Sequence, residues 1–161
     1  MLKKLLLLLL SSILILLAIA LVRTFMHVAP QPNLVEASQV QIDKKNVSNN
    51  LAASIRFKTI SHQDSKNFIK EEFNAFIKWA VATYPEFHSQ MQFEQLEYTL
   101  LYKWQGSDPS LAPILLTGHY DVVPVIPGTE ERWEQDPFAG VISNNRIWGR
   151  GALDDKSGVI G

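Results

Sequence analysis

An uncharged apolar run from Leu5 to Val22 constrains this chain before anything else does. Lys3 and Lys4 precede it and Arg23 closes it. As a helix it would be roughly 27 Å long at about 1.5 Å per residue, close to the hydrocarbon thickness of a bilayer. Residues 1–23 therefore read as an uncleaved signal anchor. The competing form is a cleaved signal peptide, because Ala18-Ile19-Ala20 has the small-residue pattern of a cleavage site. Against cleavage, Leu21 and Val22 carry the apolar run past that site. With two lysines ahead of the run, either form leaves a cytoplasmic N-terminus and an exported remainder, whether periplasmic, lumenal or extracellular. A cleaved form would be secreted.

The rest is long enough for one modest domain with its own core. Of 161 residues, 15 are Lys or Arg and 16 Asp or Glu, for a net charge of −1. Such a balance provides no basic field for nucleic acid. With no cysteine, disulfides and thiolate metal sites are excluded, so any metal must be held by histidine and carboxylates.

Residues 24–45 read as a tether, in which Pro30 and Pro32 break any helix and Gln31, Asn33, Ser38, Gln39 and Gln41 follow no period. A helical pattern starts at Val47, with Leu51, Ala52 and Ile55 on the same face, and is expected to end near Thr59-Ile60-Ser61. The strongest period follows: Phe68, Ile69, Phe73, Phe76, Ile77 and Ala80 recur at steps of three and four, a core face. Asp64 or Ser65 would cap that helix and Pro85 would stop it. Tyr98, Leu100, Tyr102 and Trp104 then alternate with Thr99, Leu101 and Lys103, the pattern of a half-buried strand. Pro113 to Thr117 reads as an interior strand covered on both faces. Val141-Ile142 and Arg146-Ile147-Trp148 flank Ser143-Asn144-Asn145, a hairpin signal since asparagine tolerates positive φ. Helices followed by strands with ligand-type residues at their ends predict an α/β layer.

Two short motifs carry the chemistry. In Gly118-His119-Tyr120-Asp121-Val122-Val123-Pro124 a histidine follows the apolar run and a carboxylate stands two residues on. Residues i and i+2 of an extended segment point to one side, so Asp121 can lie beside the imidazole. A metal-bound imidazole needs its other N–H held by an acceptor, and His-x-Asp meets that need. Alone the pair is weak, since a histidine at a strand end is commonly an ordinary surface residue. The second motif is Trp148-Gly149-Arg150-Gly151-Ala152-Leu153-Asp154-Asp155-Lys156, in which two glycines permit a tight turn before a helix opening. A carboxylate there has two oxygens and can bridge two cations. Helix capping alone would also explain aspartates at this place; that explanation, or an orienting role, is preferred for Asp155 but not for Asp154. His27, His62 and His88 sit in no motif. Asn46-Val47-Ser48 matches a glycosylation acceptor pattern and carries little weight.

These motifs, with Trp133, Asp136-Pro137-Phe138-Ala139-Gly140 and Phe57-Lys58-Thr59-Ile60-Ser61, closely resemble the dizinc metallopeptidase and aminoacylase family, most of all its carboxypeptidase S branch. Glutamate carboxypeptidase and succinyl-diaminopimelate desuccinylase belong to the same family. The likeness runs from about Val47 onward and is most specific over 114–158. It implies an α/β zinc-peptidase-like catalytic domain, a mixed sheet with flanking helices, over residues 46–161, incomplete and preceded by the hydrophobic helix. It also implies two zinc ions, with His119 a ligand of one, Asp121 orienting it, and Asp154 bridging both. In the family, the glutamate general base, the remaining ligands and a smaller lid and dimerisation domain all lie downstream of the bridging aspartate. The chain is therefore expected to represent the front part of a hydrolase, inactive and poorly folded by itself, with dimerisation dependent on the lid. The implied substrates are peptides or N-acyl amino acids with a free carboxylate. Two alternatives stay open: a membrane-tethered, non-catalytic binding domain on the same fold, and a hydrolase using another divalent ion such as cobalt or manganese.

Overall fold

The computed structural model describes residues 2–28 and 40–161. The chain divides into two compact units, Met1–Val40 and Gln41–Gly161. The first unit is built on helix α1, Leu2–Met26, none of whose side chains is buried. Ser11, Ser12 and Thr24, the hydroxyl-bearing residues of this helix, donate to the carbonyls of Leu7, Leu8 and Ala20 at 2.8–2.9 Å. A hydroxyl bonded one turn back needs no water, so between Lys4 and Arg23 the helix presents an apolar surface all round. By length and composition α1 is able to cross a membrane. Most of the tether expected over 24–45, including Pro30 and Pro32, lies outside the described residues.

In the second unit, helix α2 spans Lys44–Ile55. The Asp43 carboxylate caps it, accepting from the backbone N–H groups of Lys45 and Asn46 at 3.1 Å. Its inner face is the one the period predicts, with Ala52 and Ile55 buried and Val47 and Leu51 half-buried. The helix stops at Ile55 instead of running on toward Ser61. The reason lies at its C-terminal end, where the Lys156 ammonium takes the carbonyls of Ser54 (2.7 Å) and Phe57 (2.8 Å). Helix α3, Lys70–Thr83, buries Phe73, Phe76 and Ile77, as expected. Its start differs: Asp64 caps a separate turn at Ser65–Asn67, and Ile69 stays exposed. Pro85 ends α3 by opening a new helix, α4 (Pro85–Gln90), since proline is tolerated where N–H groups are free.

Strands β1 (Gln92–Leu96) and β2 (Thr99–Lys103) form an antiparallel hairpin. Alternation in β2 leaves Leu100 and Tyr102 half-buried, while Trp104 lies past the strand end and is exposed. β1 carries no apolar alternation that would mark it in sequence; pairing with β2 creates it. The second hairpin joins β3 (Val141–Ser143) to β4 (Arg146–Trp148). Asn144 and Asn145 turn it with φ of 51° and 58°, the geometry of a primed two-residue turn.

The interior strand expected at 113–117 is not formed. Ile114, Leu115 and Leu116 lie in irregular backbone, each more than three-quarters exposed. Without a neighbouring strand to take its backbone groups, an apolar segment has nothing to hold it extended. The described residues thus combine helices with two separate hairpins and one parallel bridge, Ile60 to Val122, not one continuous mixed sheet. Their core is Ala52, Ile55, Phe73, Phe76, Ile77, Val122 and Ile160. Phe76 lies at its centre, stacked on Tyr120 with centroids 4.4 Å apart. Burying each such side chain is worth about 1.5–3 kcal/mol.

Candidate metal centre

Two arms bring the motif residues together. The first is the segment around His119. Tyr120 anchors it by stacking on Phe76 and by donating its hydroxyl to the Tyr98 carbonyl. Val122 is buried and paired in parallel with the stretch after α2: its N–H donates to Thr59 O (2.8 Å), and Ser61 N–H donates to its carbonyl (3.0 Å). With Tyr120 and Val122 turned inward, His119 and Asp121 must face the other way.

The second arm is the turn from β4 to the short helix α5 (Lys156–Ile160). Gly151 makes it possible: its φ is +86°, and a Cβ there would run into the Val122 side chain. Lys156 N–H closes the turn on Gly151 O at 3.0 Å. Asp154 and Asp155 lie inside it, joined by a cis peptide bond.

The arms meet at His119. Its Nε2 lies 3.1 Å from Asp154 Oδ1, and its Nδ1 lies 3.0 Å from the Asp121 carbonyl and 3.2 Å from Asp121 Oδ1. The imidazole is half exposed, whereas the Asp154 side chain is 85% exposed, which leaves room at that carboxylate for more than one partner. The Asp121 carbonyl is the main reason the imidazole holds its proton more tightly than usual. The hydrogen bond to Asp154 and the charges of both aspartates add to this, and partial desolvation opposes it.

All three residues singled out in the sequence are therefore neighbours. Asp155 joins them: its Oδ2 lies 3.4 Å from the His119 backbone N–H, and although it stands at the start of α5 its side chain makes no capping hydrogen bond. Two further residues were not recognised from sequence. Ser61 donates to Asp121 Oδ2 at 2.5 Å, and Lys156, fully buried, pins the second arm to the end of α2. In sequence the Phe57–Ser61 stretch carries only a resemblance, and nothing in it points to a hydrogen bond sixty residues away.

Among the described residues, no group of three or more histidine and acidic side chains converges in a form that could hold a metal. What the arms supply is one imidazole nitrogen facing a carboxylate oxygen, with a second carboxylate behind the ring. Two atoms bound to one zinc at about 2.0–2.2 Å in tetrahedral geometry lie roughly 3.3–3.6 Å apart. The His119–Asp154 separation is within a few tenths of an ångström of that edge, so the pair fits two corners of a divalent site. His88, far from this centre in sequence, bridges Tyr84 O and the Tyr102 hydroxyl at 2.8 Å each and packs among aromatic rings.

An imidazole oriented by one aspartate and facing another from a glycine-rich turn offers side chains of the types that divalent cations take as ligands. Residues 115–161, which include all three motif residues, match the model of "Peptidase family M20/M25/M40". Over 113 residues the chain is 42% identical to the probable carboxypeptidase S-like 2 of Dictyostelium discoideum, covering 68% of this chain and 21% of the relative. It is 41% identical over 114 residues to the N-fatty-acyl-amino acid synthase/hydrolase PM20D1 of Mus musculus (68% and 22%). With carboxypeptidase S of Saccharomyces cerevisiae it shares 34% over 122 residues (74% and 21%). Residues 115–161 thus carry the likeness to peptidase family M20/M25/M40, whose peptidases are metal-dependent, and the relatives extend a likeness to 68–74% of the chain. The chain spans about a fifth of the length of the curated relatives it matches.

Proposed function

We propose that this protein is a zinc-dependent peptidase or amidohydrolase that cleaves the amide bond of peptides or N-acyl amino acids bearing a free carboxylate. The observation that carries the reading is His119 held between Asp121 and Asp154. Support for the substrate class comes from the relatives, which are named as carboxypeptidases and as an N-fatty-acyl-amino acid synthase/hydrolase. On this reading residues 46–161 are part of a zinc-peptidase catalytic domain, residues 24–45 a tether, and residues 1–23 an anchor that places the domain on the exported side.

Each residue has a definable task. Asp121 accepts the Nδ1 proton of His119, which fixes the tautomer and leaves the Nε2 lone pair free for a cation. Ser61 holds the far oxygen of Asp121 and stops that carboxylate from rotating away. Asp154 presents one oxygen toward Nε2 and is exposed enough to share the other with a second cation. A zinc pair, when bound, supplies the Lewis acidity that activates water and polarises the scissile carbonyl. None of the three is free to act as general base, because two are ligands and Asp121 is committed to the imidazole.

The test is metal content together with chelator-sensitive hydrolysis of N-acyl amino acids and dipeptides by the intact protein. Asp154→Ala should lose bound zinc and fall to background hydrolysis while staying folded. Zinc retained by Asp154→Ala would overturn the bridging role.

A further inference from the structure

The stretch from the last turn of α2 to Ser61 touches both arms of the centre, through backbone carbonyls on one side and hydroxyl side chains on the other. Toward the second arm, the carbonyls of Ser54 and Phe57 receive the Lys156 ammonium at 2.7 and 2.8 Å, two residues past Asp154. Toward the first, Thr59 Oγ1 donates to Tyr120 O at 2.6 Å and Ser61 Oγ donates to Asp121 Oδ2 at 2.5 Å, while the Ile60–Val122 bridge sets the register. Thr59 and Lys156 have no exposed surface. Among the described residues, the hydrogen bonds made directly between the arms are the His119–Asp154 contact and the long one that the His119 backbone N–H donates to Asp155.

We infer that residues 54–61 act as a common template that sets the distance between His119 and Asp154, with Lys156 and Ser61 as positioning residues for the metal. The inference rests on the zinc-hydrolase reading and deepens it. A lysine fully enclosed by protein is costly to place, and a methionine of similar length would fill the same space. What the ammonium adds is a double tie from the ligand turn to the chain at the end of α2, through the carbonyls of Ser54 and Phe57. Ser61 is exposed and contributes little to the core, so its bond to Asp121 is best understood by what it orients. Groups that hold metal ligands in place typically alter affinity by about 10- to 100-fold when removed.

The experiment measures zinc affinity by competition with a chelating dye, at a temperature where circular dichroism shows every species folded. It uses the intact protein, Lys156→Met, Ser61→Ala and the double variant. Each single change should weaken zinc binding by about 10- to 100-fold. The double should lose less than the product of the two, because both act on one spacing. At saturating zinc, kcat should remain depressed with KM unchanged. A merely structural role would move the melting temperature and leave the affinity of the folded protein alone. Wild-type affinity in both single variants overturns the inference, as do losses that multiply independently. If Lys156→Met does not fold, Ser61→Ala decides alone, and unchanged affinity there overturns it. An unmutated protein that binds no zinc defeats the underlying hydrolase reading instead, a result seen before any variant is compared.

Discussion

Lys156 is a charged residue with no surface in water. Its ammonium meets two carbonyls and lies 5.5 Å from the centre of the Phe76 ring. Burial lowers its pKa from 10.5 to about 8, with the nearby Glu72 charge opposing. Below about pH 8 both folded and unfolded chains carry the charge, and the folded one bears the full desolvation cost. Between about 8 and 10.5 the unfolded lysine keeps a proton that the folded one has released, so stability rises with pH, by of the order of 3 kcal/mol in total. Tyr120 works the other way. Burial is the main cause raising its pKa from 10.0 to about 12, so the stability of the protonated folded form is lost between those values. Chemical denaturation should therefore show a maximum near pH 10, and Lys156→Met should abolish the rise that begins near pH 8. A flat profile for the unmutated protein between pH 8 and 10 would contradict this.

At the scale of elements, the hairpin β3–β4 is fitted to α2 through one glycine. Gly140 has φ of +58°, and a Cβ on it would meet the Ala52 carbonyl oxygen inside contact distance. Arg56 Nε secures the same junction by donating to Ala139 O at 3.2 Å. Gly140→Ala should destabilise the domain by at least about 1–3 kcal/mol for the backbone strain, with the clash adding to it, read as a lower denaturation midpoint at unchanged slope. Unchanged stability would mean that the hairpin is not seated on α2 as found. The loop from Gly106 to Thr117 behaves differently. Its apolar residues have the composition of an interior strand, yet strand formation is decided by a backbone partner, which no described residue provides.

On the scale of the whole molecule, α1 is uncharged from Leu5 to Val22 and has no buried side chain. On the anchor reading proposed above, this helix of 25 residues would be held in a bilayer essentially irreversibly. Membrane fractions washed with high salt or alkaline carbonate should retain the protein, and deletion of residues 1–26 should release it to the soluble fraction. Extraction by salt alone would exclude a spanning anchor.

Periodicity settled the elements whose own side chains decide them. The Phe73-Phe76-Ile77 face of α3, the asparagine turn of the β3–β4 hairpin and the apolar character of α1 all follow from local chemistry, and so does the pairing of His119 with Asp121 two residues on. The His-x-Asp and Gly-x-Gly motifs also mark residues that the fold brings side by side, His119 and Asp154 lying 3.1 Å apart. Tertiary structure decided everything that depends on a distant partner. Strand β1 exists through pairing with β2, α2 ends where Lys156 reaches its carbonyls, and residues 113–117 stay irregular for want of a neighbour. The same is true of Ser61 and Lys156. A hydroxyl and an ammonium say nothing of their partners in sequence, and both gain their place in the centre only when segments sixty and a hundred residues apart are packed together.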